Sequence, residues 1–168
     1  LHRENLENVL RDNGLDPARV GEAELDAMNR AWHRLDPWPE AVAGLTRLRR
    51  RYVLAPLSNG NVSLLLNMAK RAGLPWDAIL GAEVAGAYKP QPEAYLRTAG
   101  ILGIRPEELC LVAAHNGDLR AARQCGLATA FVLRRTEHGP DQATDLGPEE
   151  PWDVVAADFQ DLAHKLGC

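Results

Sequence analysis

Tyr52-Val53-Leu54-Ala55-Pro56-Leu57-Ser58-Asn59-Gly60-Asn61 is the stretch that decides how this chain folds. An apolar run stops abruptly at small polar groups. A buried parallel strand ends this way when its carboxyl end opens onto a ligand crevice. Ser58 and Asn59 stand at the expected strand tip. Gly60 allows a tight turn, and the apolar spacing of Val62 to Leu74 predicts a helix. The start of that helix would offer unpaired backbone N–H groups to a ligand, favouring an anion. The same letters also suit a strand, an Asn-Gly turn and a helix with no ligand at all.

Upstream, the pattern is helical only. Leu1, Leu6, Val9 and Leu10 share a face of a helix that Gly14 ends, and Asp16-Pro17 caps a second, expected from about Ala18 to His33. Leu35-Asp36-Pro37-Trp38-Pro39 breaks the chain and reads as a hinge. Pro39 then suits the first turn of a helix from Glu40 to Arg50. Val42, Leu45 and Leu48 share its inner face. Arg47, Arg49, Arg50 and Arg51 crowd its end, where basic groups complement the helix dipole and otherwise read as a solvated surface.

Downstream, strands and helices alternate. A short strand is expected at Ile79 to Glu83, a loop at Gly86 to Gln91 and a helix opening at Pro92. Leu109 to Ala114 is the most strand-like run, followed by a helix from Asp118 to Gln124 with Gly126 as its stop. Thr129 to Leu133 and Asp153 to Ala156 read as further strands, separated by a polar loop from Arg134 to Pro151. A helix from Phe159 to Leu166 closes the pattern. The fold class is therefore α/β, a Rossmann-like parallel sheet with helices on both faces. Residues 1–38 read as part of a helical cap, and residues 39–168 as the core.

The chain has 168 residues and a net charge of −4, which argues against nucleic acid or an anionic membrane as a partner. No run is apolar enough to span a bilayer, and no secretory leader is legible. Cys110, Cys125 and Cys168 are odd in number and lack metal-ligand spacing, so a cytoplasmic location is expected. Cys110 sits in an apolar run and reads as a core thiol. The chain starts at Leu1 inside a helical pattern, as the remainder of a longer protein would.

Polar groups cluster at the expected carboxyl ends of strands, the edge where open α/β sheets bind ligands. They are Ser58 and Asn59, then Lys89, then His115, Asn116 and Asp118. Lys89 lies in Ala87-Tyr88-Lys89-Pro90-Gln91-Pro92-Glu93, where two prolines stiffen the loop. A fixed ammonium there could stabilise a carboxylate or a developing anion. Taken alone, the motif fits a surface lysine in a Pro-rich turn better. Tyr95 follows by about a helical turn and is a core residue whose hydroxyl could reach the crevice. Asp118 either answers the helix dipole or orients Lys89 and a water.

Taken together these motifs resemble the haloacid dehalogenase superfamily. Ser58-Asn59 matches its second motif, Lys89 its third, and Leu111 to Asp118 its fourth. The superfamily's phosphatases resemble Gly-Asp-Ser-x-x-Asp in the fourth motif, and its first acid helps bind Mg²⁺. Ala114 stands at that acid here, and an alanine cannot ligate a hard cation. This pattern resembles the metal-independent 2-haloacid dehalogenases, L-specific in type, as do Lys89-Pro-x-Pro-Glu-x-Tyr95, Phe131 to Gly139 and Trp152 to Phe159.

The resemblance implies hydrolytic dehalogenation of a small 2-haloacid through an aspartyl ester, with no metal and no cofactor. It implies that Ser58 binds the substrate carboxylate and Asn59 helps hold the halide. Lys89 would keep the nucleophile ionised, and Asp118 would fix Lys89 and the hydrolytic water. Tyr95, His115 and Asn116 would border the substrate. A cytoplasmic homodimer is implied as well. The first motif, Asp-x-x-Gly-Thr after a central strand, is absent from the sequence. The expectation is a fragment, or a chain with a segment ahead of Leu1, inactive as written. Two other readings stay open: a Mg²⁺-dependent small-molecule phosphatase, and a non-catalytic truncated module. Pro56 inside a strand and Gly117 beside the expected pocket depart from the pattern.

Overall fold

The computed structural model describes residues 2–168. Its compact units are Leu1–Asp36 and Pro37–Cys168, which divide inside the Pro-rich breaker.

In the first unit, α1 (His2–Asp12) and α2 (Glu22–Asn29) are joined by a 3-10 turn, Pro17–Arg19. Asp16 caps that turn by accepting from the Ala18 amide at 3.0 Å. The single helix expected from Ala18 to His33 is thus broken. Val20 and Gly21 take extended backbone, Gly21 caps α2, and Arg30–Arg34 tightens to a second 3-10 stretch. A β-branched residue followed by glycine favours leaving the helix over continuing it.

The second unit holds the sheets. Its elements are α3 (Ala41–Leu48), β1 (Leu57–Ser58), α4 (Val62–Ala72), β2 (Leu80–Gly81), α5 (Ala82–Ala85) and α6 (Pro92–Ile101). Then come β3 (Cys110–Ala113), α7 (Asn116–Gln124), β4 (Ala128–Val132), β5 (Val154–Ala156) and α8 (Phe159–Lys165). Every paired strand is parallel, in two sets: β1 with β2, and β3-β4-β5 in that order. Strand β4 explains the fold class at the level of side chains. Ala130 and Val132 pack with Leu45, Leu48 and Leu162 of α3 and α8 on one face. Phe131 packs with Tyr95, Leu119 and Trp152 on the other. A strand buried on both faces reads as a continuous apolar run, as this one does.

Three expectations need correction. The run from Tyr52 is a ladder only at Leu57 and Ser58, because Pro56 lacks a donor and the Leu54 amide is taken by Asp77 Oδ2 at 2.9 Å. The strand expected at Ile79 to Glu83 is two residues long. After it, Ala82 and Ala85 turn inward on α5, which Gly86 ends in the left-handed region. Pro39 lies outside α3, whose first amide, Ala41 N, reaches Trp38 O at 2.9 Å.

Between residues 53–57 and 109–112 runs an apolar cleft of about 260 Å³, with Leu54, Pro56, Leu80, Leu111 and Phe159 among its walls. Val53 is 70 % exposed and Val112 36 %. Cys110 lines this cleft and is exposed, so it is not a core thiol. The cleft's apolar walls push its thiol up to about 11.

The basic end of α3 is not merely solvated. Arg47 donates to Cys168 O at 2.5 Å, Arg51 to Gly167 O at 3.1 Å, and Arg49 to Asp77 Oδ1 at 2.7 Å. Arg47 and Arg51 take up carbonyls just beyond the end of α8, where cations are favoured, and Arg49 pairs with a carboxylate. Helices α3 and α8 meet at Gly44. A Cβ there would lie 2.5 Å from the backbone carbon and Cβ of Phe159. Gly44→Ala is expected to destabilise the unit by about 1–3 kcal/mol, the usual cost of overpacking. A urea titration checks this: the midpoint falls while the slope is unchanged.

Candidate active site

The carboxyl ends of β1 and β3 and the loop before α6 bring their polar side chains together. Asn59, Lys89, Pro90, His115, Gly117 and Asp118 line one open pocket of about 490 Å³. Each is delivered by a local device. Asn61 caps α4 by accepting from the Leu64 amide at 2.9 Å, which turns the chain sharply after Asn59. Gly81 lets β2 approach that turn. A Cβ on it would meet Gly60 O at 2.6 Å. His115 is the N-cap residue of α7, so Asp118 falls in the first turn of that helix.

Lys89 is held at both ends. Its backbone N–H donates to Asn59 Oδ1 at 2.7 Å, and its carbonyl accepts from Asn59 Nδ2 at 3.0 Å. Its ammonium forms a close ion pair with Asp118 Oδ2. The other oxygen, Oδ1, accepts from the Tyr95 hydroxyl at 2.6 Å. Tyr95 is fully buried. Burial, and secondarily the Asp118 carboxylate, raise its phenol well above the ordinary value, so it acts as a fixed donor. The chain of contacts runs Tyr95–Asp118–Lys89–Asn59 and presents one ammonium to the pocket.

Both Asp118 oxygens are engaged, and the Ala114 side chain offers no oxygen where a second carboxylate is needed. The residues present therefore do not fit a Mg²⁺ ion at this place.

Ser58 Oγ accepts from Gly60 N at 3.0 Å, which leaves its hydroxyl proton free to donate. His115 reaches the pocket and also lies 3.0 Å from Glu137 Oε2. Gly117 faces open space, so the position sets the pocket's size without crowding.

Asn116 departs from its expected place beside a substrate. It is 1 % exposed, and its side chain binds the loop before β5. Its Nδ2 donates to Asp145 Oδ1 at 2.9 Å and Gly147 O at 3.0 Å. Its Oδ1 accepts from Glu149 N at 3.0 Å and Trp152 Nε1 at 2.9 Å. Glu137 and His138, beside His115, were legible only as part of the Phe131 to Gly139 stretch. Their position just beyond the carboxyl end of β4 was the available signal.

Known proteins resemble this chain in sequence and in fold. The family model for haloacid dehalogenase-like hydrolases matches residues 1–126. The (S)-2-haloacid dehalogenase of Xanthobacter autotrophicus is 33 % identical over 140 residues, 80 % of this chain and 53 % of that protein. The phosphoglycolate phosphatase of Aquifex aeolicus is 31 % identical over 123 residues, 71 % of this chain and 57 % of that protein. A solved structure of a defluorinating L-2-haloacid dehalogenase is 57 % identical, with a TM-score of 0.97 over 99 % of this chain and 68 % of that one. The chain spans about half the length of the curated dehalogenases it matches. Over residues 1–126, three quarters of its sequence and the part that carries Asn59, Lys89 and Asp118, this chain belongs to the haloacid dehalogenase-like hydrolase family.

Proposed function

We propose that this chain supplies the substrate-holding side of a 2-haloacid dehalogenase. The observation that carries the reading is the Tyr95–Asp118–Lys89 relay beside Ala114: one ordered ammonium and no seat for a hard cation. An inorganic anion or a carboxylate suits that ammonium without help from a metal.

In this reading Ser58 donates its free hydroxyl to the substrate carboxylate. Asn59 keeps one amide hydrogen on the Lys89 carbonyl and turns the other to the departing halide. The nucleophile is an aspartate at the tip of a strand that enters the cleft between β1 and β3. Its carboxylate attacks C2, a C–O bond forms, and the halide leaves with the bonding electron pair. Water then adds to the ester carbonyl. The ester opens to the 2-hydroxyacid and the free aspartate, with one proton released. Lys89 holds the aspartate ionised, and Asp118 holds Lys89. The helical unit at the N-terminus is part of a cap. The same reading makes the protein a cytoplasmic homodimer. None of its cysteines is in a disulfide, and among the described residues no helix is long and apolar enough to cross a membrane.

The phosphatase reading draws on equally recognisable relatives, but it requires Mg²⁺ ligands where Ala114 stands. A titration of the chain with L-2-chloropropionate, followed by amide resonances in EDTA, separates the two. The proposal expects saturable shifts at Ser58, Asn59, Lys89 and Gly117. Shifts that require both phosphoglycolate and Mg²⁺ would overturn it.

A further inference from the structure

Outside the Lys89–Asp118 relay, one other cluster of donor groups stands out: His115, Glu137 and His138. Each offers one ligand atom, and the three atoms lie within 4.8 Å of one another. The closest pair, His115 Nε2 and Glu137 Oε2, are 3.0 Å apart. The two imidazole rings are nearly parallel, 16° between planes and 6.0 Å between centroids. We propose that these residues form a binding site for a divalent transition ion of the zinc type at the rim of the pocket.

Donor chemistry chooses the ion. Two imidazoles and a carboxylate suit Zn²⁺, Co²⁺, Ni²⁺ or Cu²⁺, whereas Mg²⁺ and Ca²⁺ favour all-oxygen sites. Geometry agrees. Two donors bonded at about 2.0–2.1 Å to one tetrahedral ion lie about 3.3 Å apart. One pair stands close to that spacing, and the His138 donor, on the surface, lies within 4.8 Å of both. Three protein donors leave a fourth position for water or an added anion.

The backbone presents the donors in advance. His115 is fixed as the N-cap residue of α7, two residues past β3. The turn carrying Glu137 and His138 is closed by Gly139 N to Thr136 O at 3.2 Å, with Gly139 at a φ of +91°. Gln142 braces it, with Oε1 accepting from His138 N at 3.2 Å and Nε2 donating to Arg134 O at 2.9 Å. The site is separate from the position of the superfamily's Mg²⁺, which falls at Ala114 and Asp118. An ion bound here would tie the 134–139 turn to His115 and so to the pocket wall. The inference does not depend on the dehalogenase reading.

Calorimetric titration of the purified chain with zinc chloride alone tests it. One saturable ion per chain is expected. Loss of an outer-shell partner already costs metal sites about 10–100-fold, so His138→Ala and Glu137→Gln should each weaken binding at least about tenfold. His164→Ala, on the surface of α8, should bind as the parent does. Imidazole resonances of the unsubstituted chain give a second test that needs no variant: those of His115 and His138 should shift together on adding zinc. No saturable binding, affinity unchanged in both His138→Ala and Glu137→Gln, or shifts confined to other histidines would overturn the proposal.

Discussion

Lys89→Met should lower halide release from L-2-chloropropionate about a hundred- to a thousandfold in the catalytically complete protein, the usual effect of deleting one fixed electrostatic contact to a reacting centre. Methionine keeps the unbranched side chain to within one atom and removes the charge. Asp118 is then left with the Tyr95 hydroxyl as its one partner of the original two, in a site where its side chain is 13 % exposed. Stability therefore falls too, and that fall must be separated from the loss of chemistry. Breaking a fully buried pair on one side costs about 3–5 kcal/mol, and this pair, which keeps some contact with solvent, should lose less. Lys89→Met combined with Asp118→Asn removes both charges. The double variant is expected to recover much of the stability and none of the turnover. Lys89→Arg retains charge but presents a planar fork to a single carboxylate oxygen, and should not restore activity. If the double variant regains turnover, or if Lys89→Met is active, Lys89 has no catalytic part.

The second large effect is on folding. Asn116→Ala should destabilise the protein by about 3–5 kcal/mol, near the upper end for a point substitution. The reason is the number of groups it satisfies. Trp152 Nε1, the Glu149 amide and the Gly147 carbonyl lose a partner together, and Asp145 loses one of its two Asn116 donors. Each buried polar group left unpaired costs about 1–3 kcal/mol. Trp152 is itself buried and carries the Arg123 guanidinium 4.3 Å above its ring, so disorder there reaches the core beneath α7. Asn116→Asp preserves shape but sets a second carboxylate against Asp145, and should be at least as damaging. Denaturation followed by tryptophan fluorescence reads both variants. A cost below about 1 kcal/mol for Asn116→Ala would show that the loop before β5 is held by other contacts.

Asn116 also shows where sequence reading ends. It lies between His115 and Asp118, so its neighbours pull it into the site. Nothing local says that residues 145–152 fold back onto it, because the contact reaches across α7, β4 and the long irregular loop before β5. Lys89 and Asp118 were legible because a stiff Pro-rich loop and a strand-to-helix turn each fix a side chain locally. Their mutual contact followed from parallel topology alone. Strand β1 was over-read for the opposite reason. The apolar letters of Tyr52 to Leu57 describe burial, whereas a ladder needs a partner on which to form it, and β2 meets only Leu57 and Ser58. Ala82 and Glu83, the first half of α5, were misread as strand because the short run between Gly81 and Gly86 suits either state until Gly86 is seen at positive φ. Glu137 and His138 escaped because an exposed Glu-His pair in a long loop signals nothing beyond its place past the carboxyl end of β4. Only the distance to His115 gives it meaning.

Metal-free halide release is the most direct test of the central claim that the Asn59–Lys89–Asp118–Tyr95 group awaits a nucleophile delivered into the cleft between β1 and β3. The chain beginning at Leu1 is compared with one extended upstream by a strand ending in Asp-x-x-Gly-Thr, both in EDTA with L-2-chloropropionate. The account predicts chloride release from the extended chain, none from its Asp→Asn variant, and none from the chain beginning at Leu1. Equal release by the extended and unextended chains, or an extended chain that hydrolyses only phosphate esters with Mg²⁺, would contradict it.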